Sequence, residues 1–157
     1  MILEYYMMRE HVSPPYRANP SDAGLDICYS PDSHSRTAAN YIVIESGECA
    51  IIPTGLKFGI PHGYMLEVKN RSSVAAKRSL LVGACVIDSG YDGEVFINLH
   101  NVGSETQLVE KGTKIAQLVM VPVVSFQAWE NSDGELYEYP VTISARGAGA
   151  LGSTDAG

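Results

Sequence analysis

A chain of 157 residues with 45% hydrophobic and 18% charged residues has the length and balance of one globular domain with a core of its own. Its net charge of −7, with no basic stripe, argues against a nucleic-acid binder, so an anionic ligand has to be held locally by a few arginines and backbone N–H groups. No apolar run approaches the ~20 residues of a membrane helix, and three cysteines without CxxC spacing and four histidines without HExxH suit a reducing, intracellular setting rather than disulfides or structural zinc.

In chain order, the patterns have the two-residue period of strands. The start, MILEYYMMREHVSPPYRANP, lacks the plan of a secretion signal. It predicts an opening strand, Ile2 to Met8, and a connection through Pro14 and Pro15. SDAGLDI sets Asp22 and Asp26 on either side of a glycine where an apolar strand begins, and CYSPDSHSRTAANY reads as a polar surface excursion. AIIPTGLKFGI predicts two short strands around a Pro-Thr-Gly turn, and YMLEVKN alternates in part. RSSVAAKRS suits a brief helix, with Ser72 or Ser73 capping Val74 to Lys77. VGACVIDSGYDGEV brings an apolar run to Asp88, a glycine-rich turn and Tyr91. EVFINLHN places Val95, Ile97 and Leu99 on one face and Phe96, Asn98 and His100 on the other. KGTKIAQL turns at Lys111 to Thr113 and enters an apolar run that Gln117 and then Pro122 interrupt. Short strands with turn signals about every ten residues predict an all-β sandwich or barrel. The tail ISARGAGALGSTDAG carries little that can be buried.

Four of these segments hold residue types suited to chemistry. The N–H groups of a helix start favour an anion, and Arg71 adds forked, charge-assisted donors beside Ser72 and Ser73. An aspartate at a strand end beside an aromatic, as with Asp88 and Tyr91, suits a positioned general base or an ordinary turn. Gln117, inside an apolar strand, needs partners for both ends of its amide. Asp22 and Asp26, flanking a glycine before a strand, read by themselves first as a turn with a capped strand.

The ordered set SDAGLDI, RSSVA, GACVIDSGYDGE, GTKIAQL and RGAGALGST resembles the five motifs of the trimeric deoxyuridine triphosphatases (dUTPases), from about Asp22 to Thr154. The resemblance implies a distorted β jelly roll in residues 1–143, assembled as a homotrimer with active sites between subunits. A flexible glycine-rich arm, 144–157, would close over a neighbour's site. It implies hydrolysis of dUTP to dUMP and pyrophosphate, which limits uracil incorporation into DNA and supplies dUMP for thymidylate synthesis. The cofactor would be Mg2+, held by substrate and water with no direct protein ligand, and Asp26 would help hold metal-bound water or the neighbouring motif. The implied setting is the cytoplasm, or a host's cytoplasm for a viral protein.

Residue by residue, Asp88 matches the aspartate that activates the attacking water. Arg71, Ser72, Ser73, Gln117, Arg146, Gly152, Ser153 and Thr154 match the phosphate-binding positions. The hairpin Gly83, Ala84, Cys85, Val86 and Ile87 matches the uracil pocket, with Phe96 near the base, Tyr91 against deoxyribose and Leu151 over the base. Departures are Leu151 where the family usually has phenylalanine, Ala150, Ser73 and Cys85 where glycine is common, and Asp92 where a basic or polar residue is frequent. Two alternatives remain. A dCTP deaminase-like enzyme shares the fold, but Asn98 stands where its proton-shuttling glutamate is needed. A non-catalytic nucleotide-binding or regulatory module would have no use for Asp88.

Overall fold

The computed structural model describes residues 1–32, 40–132, 134 and 136. The chain divides into two units, Met1–Ser125 and Phe126–Gly157. The described residues of the second unit lie in no strand or helix. The expected boundary at 143/144, and with it Arg146, Leu151, Gly152, Ser153 and Thr154, falls outside the described residues.

The described residues of the first unit form eleven strands and one helix, arranged in four hydrogen-bonded sheets. The central sheet runs β2 (Gly24–Cys28), β11 (Lys114–Pro122), β6 (Tyr64–Lys69), β8 (Val86–Ile87), all antiparallel. A second joins β4 (Cys49–Pro53), β9 (Phe96–Asn101) and β7 (Leu80–Val82). Two pairs complete the set: β1 (Glu4–Met7) with β5 (Leu56–Gly59), and β3 (Tyr41–Ile44) with β10 (Gln107–Glu110). Alternation puts Ile97 and Leu99 of β9 fully into the core, against Ile52, Leu80 and Val109, while Phe96 and His100 stay exposed, as the two-residue period requires. On β11 a register shift between Lys114 and Ala116 lets the consecutive residues Ile115 and Ala116 both be buried.

Several elements differ from the expectations. The opening strand is shorter than Ile2 to Met8. The strands on either side of the Pro-Thr-Gly turn do not pair with each other: β4 pairs with β9 and β5 with β1. The buried Thr54 hydroxyl donates to the Val95 carbonyl at 2.6 Å and accepts the Leu56 N–H at 3.2 Å, which fixes the turn as a crossing between ladders. Residues 83–87 are likewise no hairpin, since β7 and β8 belong to different ladders. The helix α1 (Ser72–Arg78) has Arg71, not a serine, at its cap position, and Arg71 makes no side-chain cap hydrogen bond. β3 and β10 have no counterpart in the sequence reading. Each is four residues long, and each is the other's partner across more than sixty residues of chain.

Candidate active site

β8 ends at Ile87, and its ladder with β6 delivers the next residue, Asp88, to the rim of an open cleft. The cleft holds about 260 Å³ and is lined by Val86, Ile87, Asp88, Tyr91, Glu94, Val95 and Phe96. Local bonds shape the loop. The Ser89 hydroxyl donates to the Ile60 carbonyl at 3.0 Å, the Tyr91 N–H to the Asp88 carbonyl at 3.3 Å, and the Tyr91 hydroxyl to the Glu94 carbonyl at 2.8 Å. The Asp88 carboxylate is exposed and bonds no described residue, so a water molecule has access to it. Glu94, the cleft's other carboxylate, is taken up by Arg9 at 2.8 and 2.9 Å.

The crossing from β7 to β8 leads into the cleft, whose lining begins at Val86; Gly83, Ala84 and Cys85 are not among the lining residues. Its Gly83 N–H donates to the Asn98 carbonyl at 2.9 Å, and its Cys85 carbonyl accepts the Val68 N–H at 2.7 Å. Among the described residues no backbone partner satisfies Ala84 between them, which leaves its N–H and C=O for a ligand. Gly83 lies so close to β9 that an added Cβ would overlap the Asn98 and His100 side chains. Asn98 Oδ1 in turn lies 2.7 Å from His100 Nε2. An amide held in this way cannot shuttle a proton, which removes the basis for the deaminase alternative.

A second cluster forms where β2, β11 and the end of β6 meet. Arg71 donates to Asp26 through Nε at 2.6 Å and through Nη2 at 3.2 Å, and Lys114 Nζ approaches Asp26 Oδ2 at 2.9 Å. Partial burial raises the Asp26 pKa, but hydrogen bonds from Lys114 and Arg71 outweigh it and hold the group below its ordinary value. Gln117 pairs with Asp26 on one side and Lys69 on the other, and its Nε2 donates to the Asn70 carbonyl at 2.9 Å. Gly24 packs on the same amide, where an added Cβ would overlap Gln117 Oε1. Ser72 and Ser73 sit exposed in the first turn of α1, whose uncapped start leaves N–H donors free for an anion.

The register fixes how far apart the two clusters lie. Antiparallel pairing of Leu66 with Ile87 and Glu67 with Val86 sets Asp88 opposite Met65, at the start of β6. Arg71 follows the end of β6, six residues further on. At roughly 3.3 Å per residue the backbones are on the order of 20 Å apart within one copy of the chain.

The dUTPase family model matches residues 10–140 of the chain. This chain belongs to the dUTPase family. It is 35% identical to the deoxyuridine 5'-triphosphate nucleotidohydrolase of Anaplasma marginale (strain St. Maries), covering 89% of this chain and 87% of the relative. It is 38% identical to that of Chlamydia muridarum (strain MoPn / Nigg), covering 72% and 75%. Among solved structures it resembles a glycine-to-serine mutant of the Staphylococcus bacteriophage 80alpha dUTPase with dUpNHpp, at a TM-score of 0.78 and 27% identity over 98% of both chains. It also resembles an aspartate-to-asparagine mutant of the dUTPase from phage phi11 of S. aureus, whose structure reveals the coordination of a structural Mg(II) ion. There the TM-score is 0.72 and the identity 27%, over 86% of this chain and 99% of the other. The all-β architecture is the distorted jelly roll of the family.

The structure thus gathers Asp88, Val86, Ile87, Tyr91 and Phe96 on one cleft, and Asp26, Arg71 and Gln117 around one ion pair. Cys85 packs partly against the core beside the crossing. Sequence reasoning missed Lys114 as the second cation on Asp26, Asn70 as the partner of Gln117, and Arg9 beneath the cleft. The one available signal was Arg9 itself, a charge that ends an apolar opening run.

Proposed function

We propose that this chain hydrolyses dUTP to dUMP and pyrophosphate at sites built from neighbouring copies of a homotrimer. The observation that carries the reading is the placement of Asp88 and Arg71 at opposite ends of β6. A site shared between copies, in which the water-activating carboxylate of one meets the phosphate-binding arginine of another, accommodates this separation.

In this arrangement Asp88 accepts a hydrogen bond from the attacking water, orients it toward the α-phosphorus and takes its proton as the bond to phosphorus forms. Arg71, with Ser72, Ser73 and the open start of α1, binds phosphate oxygens and stabilises the charge that grows on the departing pyrophosphate. Asp26 and Lys114 hold the guanidinium in place before substrate arrives. Gln117 braces the Asn70 carbonyl next to it. The Ala84 backbone reads the uracil edge, and cytosine would leave its donor and acceptor mismatched. Tyr91 packs on deoxyribose, where a 2′-hydroxyl would be crowded, and Phe96 lines the base side. Arg146, Leu151, Gly152, Ser153 and Thr154 complete this reading as parts of a closing arm.

The donor set suits Mg2+ arriving with the nucleotide. It is a hard cation that takes oxygen ligands from phosphates and water, so it calls for no direct protein ligand here. When bound, the ion neutralises phosphate charge. Among the described residues no helix is long and apolar enough to cross a membrane, and we place the enzyme in the cytoplasm, or a host's cytoplasm for a viral protein.

Pyrophosphate release from dUTP, with dCTP, dTTP and UTP as controls, tests the activity. Mixing two inactive proteins tests the shared site. After subunit exchange, Asp88→Asn and Arg71→Ala copies regain about a quarter of the wild-type sites. No recovery in mixed trimers overturns the shared site, and no dUTP turnover by the wild type overturns the activity.

A further inference from the structure

Beneath the cleft, the loop carrying Tyr91 is anchored to the N-terminal segment by Arg9, which lies outside all five motifs. Arg9 Nη1 donates to Glu94 Oε2 at 2.9 Å and Nη2 to Glu94 Oε1 at 2.8 Å. The same guanidinium donates to the Ser30 carbonyl at 2.6 Å and the Pro31 carbonyl at 3.2 Å. Glu94 Oε1 also accepts the Gly55 N–H at 2.7 Å. Only 11% of the Arg9 side chain and 14% of the Glu94 side chain are exposed. Hydrogen bonding to Glu94 raises the Arg9 pKa despite the cost of burial, so the guanidinium stays charged. Four separated stretches of chain therefore converge on one fork.

The fork also controls what lies above it. Glu94 uses its carboxylate for Arg9 and its carbonyl for the Tyr91 hydroxyl, at 2.8 Å. The next residue, Val95, is tied by its N–H to the Leu56 carbonyl at 2.8 Å. Tyr91 is thus held by a carbonyl fixed from its own side chain and from the following residue. Asp88 follows the β8 ladder and precedes Ser89, whose hydroxyl anchors the loop to Ile60, and its one tie to Tyr91 is a long backbone bond of 3.3 Å.

We propose that Arg9 and Glu94 are positioning residues for sugar selection: their ion pair fixes the Glu94 carbonyl, which fixes the Tyr91 ring that excludes a 2′-hydroxyl. The proposal rests on the role given to Tyr91 above. Steric exclusion of one oxygen needs a wall that does not move by more than a fraction of an ångström, and a buried fork supplies that stiffness. Loosening the fork admits UTP without disabling the water-activating end.

The test is steady-state pyrophosphate release from dUTP and from UTP by the full-length protein and its variants. Arg9→Lys keeps the charge but loses the fork, and Glu94→Gln keeps the shape but loses the charge. Both are expected to lower the dUTP-to-UTP ratio of kcat/KM roughly ten-fold, with kcat for dUTP within about three-fold of wild type. Tyr91→Phe, which removes only the hydroxyl, is expected to lower the same ratio, and adding Arg9→Lys to it should change the ratio little further. Lys57→Ala, which breaks the loop's exposed ion pair with Asp92, is the control and should leave the ratio unchanged. A ratio within about two-fold of wild type in Arg9→Lys and Glu94→Gln, or multiplicative effects in the double variant, overturns the proposal. Should Glu94→Gln not fold, Arg9→Lys and the double variant decide. A wild type that hydrolyses UTP as well as dUTP instead refutes the reading of Tyr91, a different failure with a different signature.

Discussion

At the Arg71 end of β6 the charged groups are already matched, with Asp26 bound by both Arg71 and Lys114, whereas at the Asp88 end the carboxylate is exposed and bonds no described residue. The two ends serve opposite electrostatic needs. A guanidinium that must receive phosphate oxygens benefits from being aimed beforehand, because its orientation then costs little when substrate binds. A carboxylate that must take a proton from water has to keep its lone pairs available. One sheet can supply both because β6 is long enough to keep the paired cations away from the acceptor.

Breaking the exposed end should have the largest effect. Asp88→Asn is expected to lower kcat by roughly 10²–10⁴-fold, while a non-hydrolysable dUTP analogue still binds. Unchanged kcat would remove Asp88 from the chemistry. At the paired end, Arg71→Lys loses the fork on Asp26 and a charge-assisted contact to phosphate, and kcat/KM should fall about 10–100-fold. A fall confined to KM would make Arg71 a binder of substrate and transition state alike.

Asp26→Asn sharpens the comparison through pH. Because the folded-state pKa of Asp26 lies below its ordinary value near 3.8, the stability it contributes is complete above that value and is lost as pH falls through the folded pKa. Wild type and variant should therefore differ by a constant amount near neutral pH and converge in acid, as read from thermal unfolding. The constant difference should be about 1 kcal/mol or less, because both partners remain partly hydrated. A gap that widens as pH falls would contradict the pairing. The smallest effect belongs to Lys57→Ala. Its partner Asp92 is 85% exposed, so stability should change by no more than about 0.5 kcal/mol and dUTP turnover should be unaffected.

How much of this was legible depended on distance along the chain. β9 was readable because Ile97 and Leu99 alternate with Phe96 and His100, a pattern that needs no partner to be seen. β3 and β10 were not, because four-residue strands acquire their meaning from each other. At the site, the residue types were legible and the pairings were not. Asp26 was expected to help hold metal-bound water or the neighbouring motif, and which partners its carboxylate meets, Arg71 45 residues away and Lys114, only the fold decided. The serine cap on α1 failed for a related reason: the extended backbone of Arg71 occupies the cap position, which leaves Ser72 and Ser73 in the first turn.

By itself the sequence determined the strand-forming period, the turn positions, and the local order in which an aspartate, an aromatic, an arginine and a glutamine occur. Those follow from backbone preference and side-chain alternation, which act over a few residues. Only the tertiary structure decided which strands pair, that Arg9 seats Glu94 from 85 residues away, and that Asp88 and Arg71 stand at opposite ends of one strand. Register is a long-range choice. It is set by which faces can be buried together, and a single step along β6 would have exchanged every inward side chain for an outward one.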